Sequence, residues 1–238
     1  MVNSTGPRSS CGRRALCSST LPNSQGARSC PPRDLIGSTA AERYPSGVTK
    51  HRIVATSAVE LHPVELPEQR HAARELIGEY LRWVAEIARS QYGLSFDVEA
   101  MVQSDIEDRE KFYPPNGRIY LVRHEGVYVG VGCLKRLAPG LGEVQRMYVR
   151  QHVRGVGAGR LLVQRLLEDA KSLGYHRVRL ESLKALTAAH SLYRSVGFRE
   201  IDPYSENSMR DYQPPETLAA YRNSAVFMEL ALEGDRDA

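Results

Sequence analysis

The stretch of the chain best suited to chemistry is a glycine turn. Gly155, Gly157 and Gly159 alternate with Val156 and Ala158, between a strand-like run, Glu143-Val-Gln-Arg-Met-Tyr-Val149, and a helix-like run starting near Ala158. A turn cleared of side chains lets backbone N–H groups close around an anion. The helix behind it leaves its first four N–H groups unpaired and aims its positive dipole end at the same spot. Strand, glycine turn and helix N-terminus together form a pyrophosphate cradle. Arg150, Arg154 and Arg160 surround the turn and could neutralise phosphates.

Two nucleotide motifs are excluded. A Walker A loop ends in Gly-Lys-Ser/Thr, which is absent here. A dinucleotide fingerprint needs Gly-x-Gly-x-x-Gly directly after a strand, with an acid ~20 residues on. The spacing in this chain is Gly-x-Gly-x-Gly, and five residues separate Val149 from Gly155.

The elements that must hold this turn follow from periodicity. On the strand before it, Glu143, Gln145, Met147 and Val149 share one face by period-two alternation. On the helix after it, Ala158, Leu162, Leu166, Ala170 and Leu173 form the buried stripe, and Gly174 closes it. Residues 176–183 read as the next strand, so strand, helix and strand imply a parallel pair. A helix over 186–196 ends at Gly197, residues 198–201 continue extended, 203–222 form a loop with a short helix, and 225–232 form a last strand.

Upstream, a strand is expected over 53–61. A long helix follows from Pro67, with Ala73, Leu76, Ile77, Tyr80, Leu81, Val84 and Ala88 on one face and Gly93 at its end. A weaker helix spans 96–107, and Pro114-Pro115-Asn116-Gly117 turns the chain. Residues 119–123 and 127–134 then form a hairpin around a short loop with Gly126. The whole reads as a mixed α+β sheet domain.

Composition narrows the function. The 238 residues suit one domain with an appendage, and the hydrophobic fraction of 42% is ordinary for a soluble protein. The net charge of +4 is uneven, since residues 1–50 carry seven Lys or Arg and two Asp or Glu, and the rest carry 25 and 26. The folded part is therefore near neutral, and neither a nucleic-acid surface nor a membrane span is expected. Residues 1–50, rich in Ser, Pro, Gly and Arg, read as a disordered extension, with a transit peptide as the alternative. The cysteines show no zinc spacing, and Cys133 sits in a strand as a small hydrophobe. The seven histidines are scattered, so no metal site is expected, and a reducing cytoplasmic setting fits.

At this point two motifs match a family. Arg154-Gly-Val-Gly-Ala-Gly159, preceded by Arg-Met-Tyr-Val149, resembles the acyl-CoA-binding segment of the GNAT superfamily of N-acetyltransferases. Ala189-His-Ser-Leu-Tyr-Arg-Ser-Val-Gly-Phe198 is similar to that family's Ala-x-x-Leu-Tyr-x-x-x-Gly-Phe segment. The resemblance covers residues 52–238, which are taken as one acetyltransferase domain from about 51. It implies a mostly antiparallel twisted sheet flanked by helices, in which the fourth strand bulges and splays from its parallel partner, the fifth, with a backbone N–H near Met147 polarising the acetyl carbonyl. Acetyl-CoA would be the co-substrate, with backbone groups of Met147, Tyr148 and Val149 along the pantetheine arm. The N–H groups from Arg154 to Arg160 (Gly155, Val156, Gly157, Ala158 and Gly159 between them) would hold the pyrophosphate.

The same resemblance implies catalytic roles. Tyr193 is the candidate general acid for the departing thiolate, since a phenol of pKa ~10 can protonate a thiolate of ~8.5 only weakly uphill. An amine nucleophile also needs a proton acceptor, for which Glu143 and Glu181 are the candidates. Many relatives carry Asn where this chain has Leu186, so one side-chain contact to the cofactor is replaced there. The expected activity is acetyl transfer to a primary amine of a small molecule or peptide, by a monomer or homodimer. A non-catalytic acyl-CoA-binding sensor is the alternative. No feature of the sequence names the acceptor.

Overall fold

The computed structural model describes residues 59–204, Met209, Tyr212 and 215–232. The expected N-terminal extension, residues 53–58 of the expected first strand, and part of the 203–222 loop lie outside the described residues.

The elements run β1 (Glu60–Pro63), α1 (Pro67–Tyr92), α2 (Val98–Glu107), β2 (Arg118–His124), β3 (Val127–Ala138), β4 (Leu141–Val149), α3 (Ala158–Ser172), β5 (Arg177–Leu183), α4 (Thr187–Ser195), β6 (Arg199–Ile201), α5 (Pro215–Ser224) and β7 (Ala225–Ala231). They form a seven-stranded sheet in the order β1-β2-β3-β4-β5-β7-β6. Every neighbouring pair is antiparallel except β4 and β5, which run parallel as strand, helix and strand require.

Local chemistry sets the ends of α1. Pro67 opens it where a missing N–H costs least, and the Gln69 side chain accepts from the N–H groups of Glu65 and Leu66, both at 2.9 Å. Gly93 ends it at φ 67°, a left-handed conformation that favours glycine. Burial then divides the molecule into two cores. On one face of the sheet, Leu76, Ile77 and Leu81 of α1 and Met101 and Val102 of α2 pack over Leu121, Val131 and Cys133. On the other, Leu162, Val163 and Leu166 of α3 and Tyr193 of α4 pack over Val122, Leu134 and Leu180.

One departure from the expected register shapes the site. Gln145 lies opposite Cys133 and Tyr148 opposite Val131, so three steps along β4 face two along β3. The extra residue is a β-bulge, and Arg146 takes φ 54° within it. A bulge reverses the alternation of side chains beyond it. Glu143 and Tyr148 therefore contact the α1 face, while Val144, Met147 and Val149 pack against the α3 face. The expected sharing of one face by Glu143, Gln145, Met147 and Val149 is corrected by this inserted residue.

Candidate active site

β4 and β5 pair over Leu141–Arg177, Gly142–Val178 and Glu143–Arg179. Beyond Glu143, β4 stays with β3 while β5 stays with β7 as far as Leu183 opposite Ala225. The strands diverge, and a cleft of about 580 Å³ opens between them. Its walls are β4 from Val144 to Val149, the glycine turn, the start of α4, and Glu181 and Ser182 of β5.

The turn is built for unpaired amides. Gly155 and Gly157 have φ 92° and 88°, which side chains of L-residues rarely tolerate. Gly159 plays a different part, since a Cβ there would stand 3.2 Å from Leu192 Cδ2, so it lets α3 approach α4. The first in-chain donor of the helix is Leu161 N–H, 3.0 Å from the Gly157 carbonyl. Among the described residues, no backbone acceptor takes the N–H groups of residues 155 to 160. Arg154 differs from the expectation: its N–H donates to the Gln151 carbonyl at 3.2 Å, within a short 3-10 turn over Gln151–Val153. The cradle of free amides thus begins at Gly155. Val156 turns its side chain to solvent at 51% exposure, so only its backbone faces the turn.

The surrounding arginines are not equivalent. Arg150 is clamped by Glu79 of α1, with Nε 2.9 Å and Nη2 2.5 Å from the carboxylate. That hydrogen bond holds the Glu79 carboxyl below the usual carboxylate range. Arg154 lies along the cleft edge, its Nε donating to the Val149 carbonyl at 3.1 Å and its guanidinium 5.4 Å from the centre of the Trp83 ring. Arg160 donates to Ser195 Oγ at 2.7 Å.

Of the acid–base candidates, Tyr193 and Glu181 line the cleft. Tyr193 is 6% exposed and meets Phe198 edge-on at 5.9 Å. Burial pushes its phenol pKa well up, so it stays protonated. Glu181 is hydrogen-bonded to Tyr221, whose own phenol is pushed up by burial and then by the Glu181 charge. Glu143 stands behind the wall at 0% exposure, accepting from Gln145 Nε2 at 2.7 Å and Tyr204 Oη at 3.0 Å, with Lys135 Nζ at 3.3 Å. It does not line the cleft. Leu186 does, as a buried apolar side chain before α4.

The cleft also gathers residues outside the two motifs. Tyr80, placed on the core stripe of α1, and Trp83 of the same helix reach the cleft and cluster with Tyr148, their ring centres 6.0 to 6.4 Å apart. Two aromatics three apart on one helix were a signal for such a wall. Arg146 is salt-bridged to Asp105 of α2, 41 residues away, with Nε at 2.5 Å, and no local pattern announces that pair.

Comparison with known proteins agrees with this geometry. Residues 81–198 match the model of the acetyltransferase (GNAT) family. An uncharacterized N-acetyltransferase of Schizosaccharomyces pombe is 29% identical over 153 residues, 63% of this chain and 89% of its own length. The uncharacterized N-acetyltransferase YjgM of Escherichia coli is 31% identical over 118 residues, 48% of this chain and 71% of its own. The fold is shared with a GNAT acetyltransferase of Staphylococcus aureus (TM-score 0.54, 18% identity, 74% of this chain and all of that one). It is shared also with the PaiA N-acetyltransferase of Thermoplasma acidophilum, solved in complex with coenzyme A (TM-score 0.53, 16% identity, 74% and 99%). A seven-stranded sheet splayed at its one parallel pair, a glycine turn that presents free amides, and these relatives lead to one assignment: the chain belongs to the GNAT family of acetyltransferases.

Proposed function

We propose that the chain transfers an acetyl group from acetyl-CoA directly to a primary amine. The observation that carries this reading is the run of unaccepted N–H groups from 155 to 160 at the head of a cleft that opens where β4 leaves β5. Those amides and the N-terminal end of α3 would hold the pyrophosphate, with Arg154 and Arg160 supplying positive charge. The edge of β4 released by the splay would bind the pantetheine arm as an added strand does. The relative solved with coenzyme A supports the fit of this fold to that ligand.

Bound acetyl-CoA would supply an activated thioester carbonyl. The bulge would leave a backbone N–H near Met147 unpaired, able to hydrogen-bond the carbonyl oxygen as charge builds on it. Glu181 accepts a proton from the ammonium, directly or through water, so that the nitrogen lone pair can form the N–C bond as the C–S bond breaks. Tyr193 donates its proton to the departing sulfur. Of the three protons on the ammonium side, one stays on the amide, one replaces that of Tyr193, and one goes to solvent. Glu143, ion-paired and hydrogen-bonded behind β4, then serves to fix the strand rather than to move protons.

A titration with CoA and acetyl-CoA, paired with an amine-library screen for free-thiol release, tests the reading. Binding of both and thiol release that depends on an added amine are expected. Absence of affinity for either removes the proposal, and binding without turnover of any amine favours a sensor.

A further inference from the structure

Beyond the splay lies a second cavity of about 50 Å³, which shares Tyr80, Gln145, Arg146, Glu181 and Ser182 with the cleft. At ~10–15 Å³ for each water-sized probe, this space admits about three to five non-hydrogen atoms. Leu81, Val84, Met101 and Leu183 make much of the rest of its wall apolar. Arg146 and Glu181 are the charged side chains that line it, and they have opposite signs.

Arg146 is 8% exposed and directs Nε and Nη2 at Asp105, at 2.5 and 3.3 Å. Its Nη1 is not engaged by Asp105 and is not among the buried unpartnered atoms, so it is open to solvent. Asp105 also takes Lys111 Nζ at 2.6 Å, so two cations share one carboxylate and the group carries a net positive charge. Burial works against the Arg146 charge, but Asp105 more than offsets it and the guanidinium stays ionised. An ionised guanidinium with an uncommitted donor can take a carboxylate oxygen.

We infer that the acceptor is an α-amino acid with a short apolar side chain, its carboxylate on Arg146 Nη1 and its amine beside Glu181 where the cavity meets the cleft. This inference rests on the acetyl-transfer reading above and names the substrate class of that same site. The zwitterion puts its anion on the free donor of the positive group and its ammonium on the carboxylate. A carboxylate, Cα and Cβ fill the space, with the nitrogen left at the junction that faces the thioester. A polypeptide N-terminus has an amide where the carboxylate belongs, and a diamine would set a second cation against Arg146. The step is the one given above: the α-nitrogen gains the acetyl carbon, the C–S bond breaks, and protons pass to sulfur and solvent.

The test is thiol release by the full chain with acetyl-CoA and three acceptors of one shape: L-alanine, L-alaninamide and ethylamine. Alanine is expected to show a kcat/KM at least tenfold above either of the others. Arg146→Gln should raise KM for alanine at least tenfold relative to KM for ethylamine in the same variant, and so erase the preference over alaninamide. Turnover of amines with no preference for the carboxylate overturns the inference while leaving acetyl transfer standing. Intact CoA binding with no alanine turnover overturns it too. Loss of CoA binding in the unaltered chain removes both readings together. Because the acceptor series needs only the unaltered chain, a poorly folding Arg146 variant does not decide the matter.

Discussion

At the scale of single residues, the candidate site sets a buried phenol and a hydrogen-bonded glutamate along one cleft. Tyr193 is a phenol that burial makes harder to ionise, and Glu181 is a carboxylate held by Tyr221. A pKa raised from 10 means that the neutral phenol, the form able to donate, persists through neutral pH and beyond. Tyr193→Phe is expected to lower kcat by roughly 100-fold, within the range of general acid catalysis, with KM for acetyl-CoA little changed. The acidic limb of the pH–rate profile should survive the substitution, because it belongs to the proton acceptor. An unchanged kcat across the profile would remove Tyr193 from the mechanism.

At the scale of elements, the glycine turn and the β4 bulge make the slot. Gly157 caps α3 at φ 88°, and beyond its chain neighbours nothing lies within 4 Å of where a Cβ would stand. Gly157→Ala therefore meets no clash in the free protein, and the left-handed backbone costs about 1 kcal/mol. Its larger effect should be on the ligand, as a tenfold or greater loss of CoA affinity by titration with a small change in Tm. The bulge is held from the other side, where Asp105 of α2 binds Arg146. Asp105→Ala would leave the guanidinium buried without its counter-charge, a defect worth about 3–5 kcal/mol. Chemical denaturation should record that loss. Asp105→Asn, which keeps the acceptor oxygen, should lose less.

At the scale of the whole molecule, two cores clasp one sheet, and the cleft lies where the sheet divides. Stability should also respond to a titratable group buried on α4. His190 of α4 is buried, and desolvation lowers its pKa below the ordinary 6.5, with Arg194 adding to the effect. In the unfolded chain the imidazole binds its proton first as pH falls. Its contribution is thus fully present above about pH 6.5 and is lost as pH drops through the lower folded value. Thermal melts should show Tm falling from pH 6.5 downward, and His190→Gln should flatten that slope. An identical slope in the variant would assign the acid sensitivity to other groups.

Much of this was legible locally. Pro67 and Gly93 bound α1 as read, Gly174 follows α3, and the glycine turn opens that helix, because caps and turns depend on residues a few positions apart. The mostly antiparallel order with one parallel pair also matches the expectation. What local pattern could not reach was register. A strand read by strict alternation puts Glu143 beside Met147, but the pairing of β4 with β3 inserts Arg146 and turns them to opposite faces. That choice is made by β3 and by Asp105, 41 residues away, neither of which appears in the pattern of β4 itself. The sequence alone thus determined the family, the glycine turn that opens α3 and the extent of most helices, all short-range properties of the backbone. Only the tertiary structure decided which carboxylate reaches the cleft and which aromatics and arginine wall it, since these follow from long-range pairing and burial that no single segment encodes.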